Sequence, residues 1–228
     1  MTRKLVRGYG EIFLPSDNIL DQSVAKEILT GKCYPLIAAA NDISLIWDIG
    51  ANIGAAALYF AKNYPSATIH CWEPSQDIVW ECLLENTSRI SRRTVLSQCG
   101  LAADNEQRSM NEWNMSTVTR SCRPQDSDVE IVELPSWNFQ PPPRIPEEIG
   151  IVKIDTEGCE VEILLALSDR AIVPIYYIEY HSESDRRAID NLLPEHHLVR
   201  CSAERKHRGN LTYVHKGIKT REDRFEIT

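Results

Sequence analysis

The chain of 228 residues has no apolar run long enough to span a membrane. Its first residues, Met1-Thr-Arg-Lys-Leu-Val-Arg-Gly, are basic but lack the apolar core of a signal peptide, so a cytoplasmic location is expected. Basic charge is not in excess either. The formal net charge is −8, which argues against nucleic acid as the main partner, because phosphate binding needs a basic surface. The seven cysteines are odd in number, and Cys71, Cys82, Cys99 and Cys159 lie in apolar segments. That suits buried thiols in a reducing compartment and not a disulfide framework. No internal repeat is present. With 43% apolar residues, the chain can build one sizeable α/β domain and is marginal for two.

The densest signal lies at residues 44–54. The apolar run Leu45, Ile46, Trp47 ends in Asp48 and turns through Gly50 and Gly54. Ile53, Ala56, Ala57, Phe60, Ala61 and Tyr64 then recur at helical spacing, one apolar stripe. Strand, glycine turn and helix open a doubly wound sheet, in which ligands sit at the carboxyl ends of the strands. Here too absences are informative. A dinucleotide fingerprint G-x-G-x-x-G read from Gly50 would need glycine where Asn52 and Ala55 stand. The Gly-Lys-Ser/Thr of a P-loop is missing as well. A second apolar segment, 68–72, ends in Glu73, nineteen residues past Gly54, where an acid can accept hydrogen bonds from a ribose diol. An open turn not built for phosphates, plus a ribose acceptor, fits a nucleoside without pyrophosphate. S-adenosylmethionine is the obvious candidate.

Three motifs in order, Asp48-Ile-Gly-Ala-Asn-Ile-Gly54, Trp72-Glu-Pro74 and Val152-Lys-Ile-Asp-Thr-Glu-Gly158 followed by Glu160, resemble the FkbM family of S-adenosylmethionine-dependent methyltransferases over about residues 15–180. The resemblance implies a Rossmann-like α/β fold: a seven-stranded, mostly parallel sheet with helices on both faces and the last strand antiparallel. It also implies O-methylation of a sugar or natural-product small molecule, so a small-molecule or glycan acceptor is the expected partner. N-methylation of a small molecule or peptide and a non-catalytic adenosyl-binding scaffold are the alternatives. Asp104 is a further cofactor candidate, since a polar residue near this point touches adenine in related folds; a turn with Asn105 is the plainer reading.

The expected division is a cap or lid at 1–43, the cofactor-binding domain at 44–217 and a charged tail at 218–228. In the first, 9–14 reads as a strand, and Ser16 or Asp17 caps a helix whose apolar face holds Ile19, Val24, Ile28 and Leu29. An edge left by this segment could pair two chains. Ser75 is the expected cap of a helix to about Asn86, 95–101 a single strand and 128–134 a half-buried strand. The proline-rich stretch 135–146 reads as a loop with no regular element. Strand 149–154 ends in Asp155 and leads to a helix with Val161, Leu164, Leu165 and Ser168 on one face. A continuous apolar run, 172–178, ends in Glu179-Tyr-His181, Ser184 caps a helix, and 198–201 and 211–214 are the last strands.

The cofactor-binding set is Asp48, Gly50, Asn52, Gly54, Glu73 and Asp104. Asp48 orients the turn or meets the methionine end. Asp155 stands over the expected methyl position, Glu157 follows it, and His181 is the best base by its unperturbed pKa near neutrality. These three form the catalytic set, with Glu160 and Glu179 at the substrate. Acids in a first helical turn also complement the helix dipole. Asp155, Glu157, Glu179 and His181 could instead hold Mg2+, but no dense ligand spacing demands it, and no metal is expected. His196, His197, Cys201 and His207 match no usual zinc spacing. Arg200, Arg205, Lys206, His207 and Arg208 read as a solvated basic face, with contact to an anionic substrate group, a phosphate or carboxylate, as the alternative.

Overall fold

The computed structural model describes residues 1–37, 42–103, 107–109, 136–205 and 207–218. Asp104, the strand expected at 128–134 and the tail beyond 218 lie outside them. The elements in chain order are β1 (Thr2–Val6), β2 (Gly10–Leu14), α1 (Ile19–Leu29), β3 (Leu45–Ile49), α2 (Ala55–Asn63), β4 (Thr68–Trp72), α3 (Ile78–Thr87), β5 (Thr94–Ser97), β6 (Gly100–Leu101), β7 (Gln107–Ser109), β8 (Ser136–Gln140), β9 (Ile149–Ile154), α4 (Glu160–Ala166), β10 (Ile175–Tyr180), α5 (Glu183–Leu192), β11 (His196–Arg205) and β12 (Arg208–His215). Seven strands form the main sheet in the order β11-β12-β10-β9-β3-β4-β5. β10, β9, β3, β4 and β5 are mutually parallel, and β12 runs antiparallel to both β10 and β11. This is the Rossmann-like sheet, mostly parallel with an antiparallel last strand.

Both faces of the sheet are covered, which explains why its central strands are apolar throughout. Ile46, Ile69, Ile151 and Tyr177 face the layer of α1, α2 and the N-terminal hairpin. Trp47, Trp72, Val152, Ile154 and Tyr176 face the layer of α4 and α5. The expected stripe of α2 is buried, and so are Leu58 and Tyr59 on its other side. The N-terminal segment causes this. α1 packs on α2, the Tyr59 hydroxyl donates to the Tyr34 carbonyl at 2.6 Å, and the Tyr34 ring lies 5.4 Å from Tyr177 and 5.6 Å from Phe60. The hairpin is tied to α3 by the Asn86 side chain, which accepts from the Phe13 amide at 2.8 Å and donates to its carbonyl at 2.9 Å.

Several boundaries differ from expectation. Asn18 caps α1, and Ile19 and Val24 are exposed, so the buried face is Ala25 and Leu29. Asp77, not Ser75, caps α3, because Ser75 is engaged by Glu73. The single strand expected at 95–101 is two: β5 ends the main sheet, and β6 pairs with β8 in a separate small sheet. β8 stands between Pro135 and Pro141, so the prolines bracket a strand instead of excluding one. α4 buries Ile163, Leu164 and the following Leu167, with Leu165 outward. β10 begins at Ile175, after a short 3-10 turn at Arg170–Ile172. Ser182 caps α5, accepting from the Asp185 amide.

Candidate functional site

At the carboxyl end of β3 the chain reverses sharply. Gly50 has φ 78°, and a Cβ there would stand 1.8 Å from the Asp155 carbonyl oxygen, so only glycine fits. The Gly50 and Ala51 amides both donate to the Trp72 carbonyl at 2.9 Å, pinning the turn to β4. Asn52 also takes a left-handed φ of 49°, and its amide donates to Glu73 Oε2 at 2.7 Å. Glu73 Oε1 accepts from the Ser75 amide at 3.0 Å and from its hydroxyl. Three of the roughly four lone-pair sites of that carboxylate are thereby used, leaving one for an incoming hydroxyl. Burial pushes the Glu73 pKa up against the pull of these bonds. Gly54, φ 81°, starts α2 and lies against Leu83 and Thr87.

Asp48 is fully buried behind this turn. Its register partner in β9 is Lys153, on the same face, and the Lys153 Nζ stands 3.1 Å from Asp48 Oδ1, 3.6 Å from Asp155 Oδ2 and 2.5 Å from the Gly50 carbonyl oxygen. Asp48 thus meets the turn through Lys153, which donates to the Gly50 carbonyl. Its pKa is raised by burial against the attraction of Lys153, whereas the carboxylates raise that of Lys153 despite its burial. Lys153 was missed from sequence. The signal was available: a lysine inside a buried six-residue strand must have a carboxylate partner.

The second half of the site forms at the ends of β9 and β10. The Asp155 amide donates to the Ile49 carbonyl, placing its side chain beside the glycine turn. The Asp155 and Glu179 carboxyls are hydrogen-bonded to one another. Glu179 is raised to about 8 by burial and by Asp155, with Arg208 pulling the other way. The chain then turns through Glu157, φ 57°, and Gly158, φ 121°. Glu160 folds back under this turn. Its Oε1 accepts from the Thr156 amide at 3.0 Å and the Gly158 amide at 3.1 Å, and lies 3.1 Å from His181 Nδ1. Glu160 is fully buried, so it braces the turn and does not face a substrate.

His181 is not a free imidazole. Its Nδ1 is held by Glu160, and its Nε2 lies 3.2 Å from Glu157 Oε2 and 3.9 Å from Glu179 Oε1. Burial works to lower its pKa, but Glu157 and Glu160 outweigh burial and raise it to about 10. At neutral pH the ring is therefore a cation between carboxylates and has no lone pair to act as the expected base. Arg208 corrects a second expectation. It does not belong to a solvated face, since it donates to Glu179 and, at 3.0 Å, to Glu157 Oε1. Nothing in the sequence pattern ties it to the site, because the contact depends on β12 lying beside β10. Of the residues weighed for zinc, His196 Nε2 bonds the Val173 carbonyl at 2.7 Å, and Cys201 is exposed. Among the described residues the group with ligating atoms close together is Asp155, Glu157 and His181, all within 4.8 Å of one another.

The segment after α1 packs on the sheet through Tyr34 and Pro35. The Tyr177 hydroxyl donates to the Pro35 carbonyl at 2.5 Å. The Cys33 thiol is pushed up to about 12 by burial and by the charges of Glu179, Glu27 and Asp155. Residues 34 and 35 thus tie the segment after α1 to the sheet. Among the described residues no helix is long and apolar enough to cross a membrane.

No protein-family model matches the chain. It is similar to the hexuronic acid methyltransferase AglP of Haloferax volcanii, 26% identical over 175 residues that cover 70% of this chain and 65% of that protein. It is also similar to the 31-O-demethyl-FK506 methyltransferase FkbM of Streptomyces tacrolimicus, 22% identical over 182 residues, 65% of this chain and 69% of that one. The chain thus spans about two thirds of the length of these relatives. Among solved structures it is similar to the methyltransferase FkbM of Methylobacillus flagellatus, with a TM-score of 0.53 and 16% identity over 75% of this chain and 44% of the other. The chain has a Rossmann-like fold and is similar to methyltransferases that include FkbM.

Proposed function

We propose that the chain transfers a methyl group from S-adenosylmethionine to a hydroxyl of a sugar or natural-product small molecule. The observation that carries this reading is the placing of the Glu73-braced turn directly beside the Asp155–Glu179 carboxyl pair, at the carboxyl edge of β3, β9 and β10. The charge of the site supports a sulfonium cofactor. At neutral pH, with Glu179 protonated and His181 charged, the carboxylates Asp48, Asp155, Glu157 and Glu160 exceed the cations Lys153, Arg208 and His181 by one charge. Such a surplus attracts a cation and repels a pyrophosphate. The names of the two relatives, one acting on a hexuronic acid and one on 31-O-demethyl-FK506, support the acceptor class.

In this reading Gly50, Asn52 and Gly54 shape the cofactor floor, Glu73 takes the ribose, and Asp48 holds the floor through Lys153. Asp104 stays a candidate for the adenine. When bound, S-adenosylmethionine supplies the reactive carbon and a good leaving group. The protein holds acceptor oxygen, carbon and sulfur in line. Asp155, 22% exposed and hydrogen-bonded to Glu179, takes the hydroxyl proton, a contribution of about 10²–10⁴-fold. His181 and Glu160 fix the turn that presents Glu157 and Asp155. The division proposed from the sequence, a cap at 1–43 and the cofactor-binding domain at 44–217, belongs to the same reading. The test is release of S-adenosylhomocysteine on incubation with S-adenosylmethionine and a panel of sugars, sugar acids and hydroxylated small molecules. Release with an acceptor supports the reading; cofactor binding with no release from any acceptor would favour a binding scaffold.

A further inference from the structure

The geometry points to a divalent first-row metal site formed by Asp155, Glu157 and His181, with Glu160 as the carboxylate that orients the imidazole. The first observation concerns His181 Nε2. The side chain is 5% exposed, and Nε2 lies 3.2 Å from Glu157 Oε2, yet it makes no hydrogen bond. The contact is close but off the axis a hydrogen bond requires. Groups paired with each other point at each other; groups around a metal point at a common centre. The ligating atoms of the three residues lie within 4.8 Å of one another, where bonds of about 2.0–2.2 Å to one ion set neighbouring ligand atoms about 3–4 Å apart. A small inward movement closes the set.

The second observation is on the far side of the ring. His181 Nδ1 meets the fully buried Glu160 at 3.1 Å. A carboxylate on the other ring nitrogen is the usual support of a metal-binding histidine, because it fixes the tautomer and leaves Nε2 as the ligand. The same Glu160 oxygen is anchored by the Thr156 and Gly158 amides, so it holds the ring rigidly. The charges agree. With the imidazole neutral and Glu179 protonated, Asp48, Asp155, Glu157 and Glu160 exceed Lys153 and Arg208 by two charges, which a divalent ion would offset. Arg208 does not block the site, since it binds Glu157 through Oε1 while Oε2 faces His181. In the metal-free protein a proton on the ring occupies the same electrostatic role. One nitrogen and two carboxylates suit Mn2+, Fe2+, Co2+ or Zn2+ better than Mg2+, which favours oxygen ligands alone. Asp155 and Glu157 are partly exposed, so open positions on the ion would face the acceptor, whose hydroxyl it would bind and acidify. That role rests on the methyl-transfer reading, but the existence of the site does not.

The test uses the full chain stripped with chelator and titrated with Mn2+, followed by the loss of the free-ion electron paramagnetic resonance signal and by calorimetry. One Mn2+ per chain is expected, with binding lost in His181→Ala and in Asp155→Asn and weakened roughly 10–100-fold in Glu160→Gln. Circular dichroism and melting of each variant separate lost ligation from lost fold, and Asp155→Asn, at a partly exposed side chain, is the variant least exposed to misfolding. No Mn2+, Co2+ or Zn2+ binding by the folded wild-type chain would overturn the inference. So would binding that Asp155→Asn and His181→Ala leave unchanged, or Mg2+ binding equal to Mn2+ and indifferent to His181. S-adenosylmethionine titration of the same stripped protein is read separately, so failure of the metal site and failure of the methyltransferase reading give different results.

Discussion

Replacing Lys153 by methionine removes the cation beneath the glycine turn while keeping most of the side-chain volume. Asp48 is then left buried without the Lys153 ammonium, and the Gly50 carbonyl loses its 2.5 Å donor. Removing one member of a buried pair costs about 3–5 kcal/mol, because the other charge stays desolvated. For a chain of this size each kcal/mol corresponds to about 2–4 °C, so Lys153→Met should melt roughly 6–20 °C below wild type. The deficit depends on pH. Burial already raises the Asp48 pKa against Lys153, and loss of the lysine raises it further. The folded variant then keeps a proton that the unfolded carboxyl, titrating near about 4, has released. Between those two values the folded state binds more protons, so stability falls as pH rises. The gap to wild type should therefore be largest at neutral pH and shrink on acidification. Asp48→Asn with Lys153→Met should recover much of the loss, since replacing a whole buried pair is often near neutral. Thermal melts followed by circular dichroism at several pH values decide it. A single variant within about 1 kcal/mol of wild type, or a double variant worse than the single, would refute the reasoning.

Gly50→Ala should cost at least about 1–3 kcal/mol from its left-handed backbone, with the clash against the Asp155 carbonyl added, whereas Gly54→Ala meets only side-chain ends of Leu83 and Thr87 and should cost less; denaturant titration compares them. Glu73→Gln should keep the fold and weaken S-adenosylmethionine binding roughly ten- to hundredfold by calorimetry, the worth of a charged hydrogen bond. Asp155→Asn should leave cofactor affinity nearly unchanged and lower turnover about 10²–10⁴-fold. Tyr177→Phe should cost about 1–3 kcal/mol by leaving the Pro35 carbonyl unpaired, and it should speed hydrogen exchange in residues 32–37.

The parts of the site legible in the sequence are those written in consecutive residues. Leu45–Ile49, the turn through Gly50 and Gly54, and α2 follow from a short apolar run, two glycines and a helical stripe. Glu73 and Asp155 were placed by the rule that polar residues at strand ends face the ligand edge. What local pattern cannot show is which strand lies beside which. The Asp48–Lys153 pair depends on β3 and β9 being neighbours in register, although 103 residues separate Gly50 from Lys153. The role of Arg208 depends on β12 inserting beside β10. His181 read as a base because an isolated histidine titrates near neutrality; two carboxylates from the Asp155 turn change that, and neither is its neighbour in the chain. Helix caps failed for a simpler reason. Ser16, Asp17 and Asn18 are all good caps, as are Ser182 and Ser184, and tertiary packing selects among them.

The central claim is that this turn and its carboxylates hold a sulfonium nucleoside and not a dinucleotide. Calorimetric titration of the purified chain with S-adenosylmethionine and, separately, with NAD tests it most directly. Saturable binding of S-adenosylmethionine, one per chain, with no heat from NAD is the predicted result. Binding of NAD, or of neither ligand, would contradict the account.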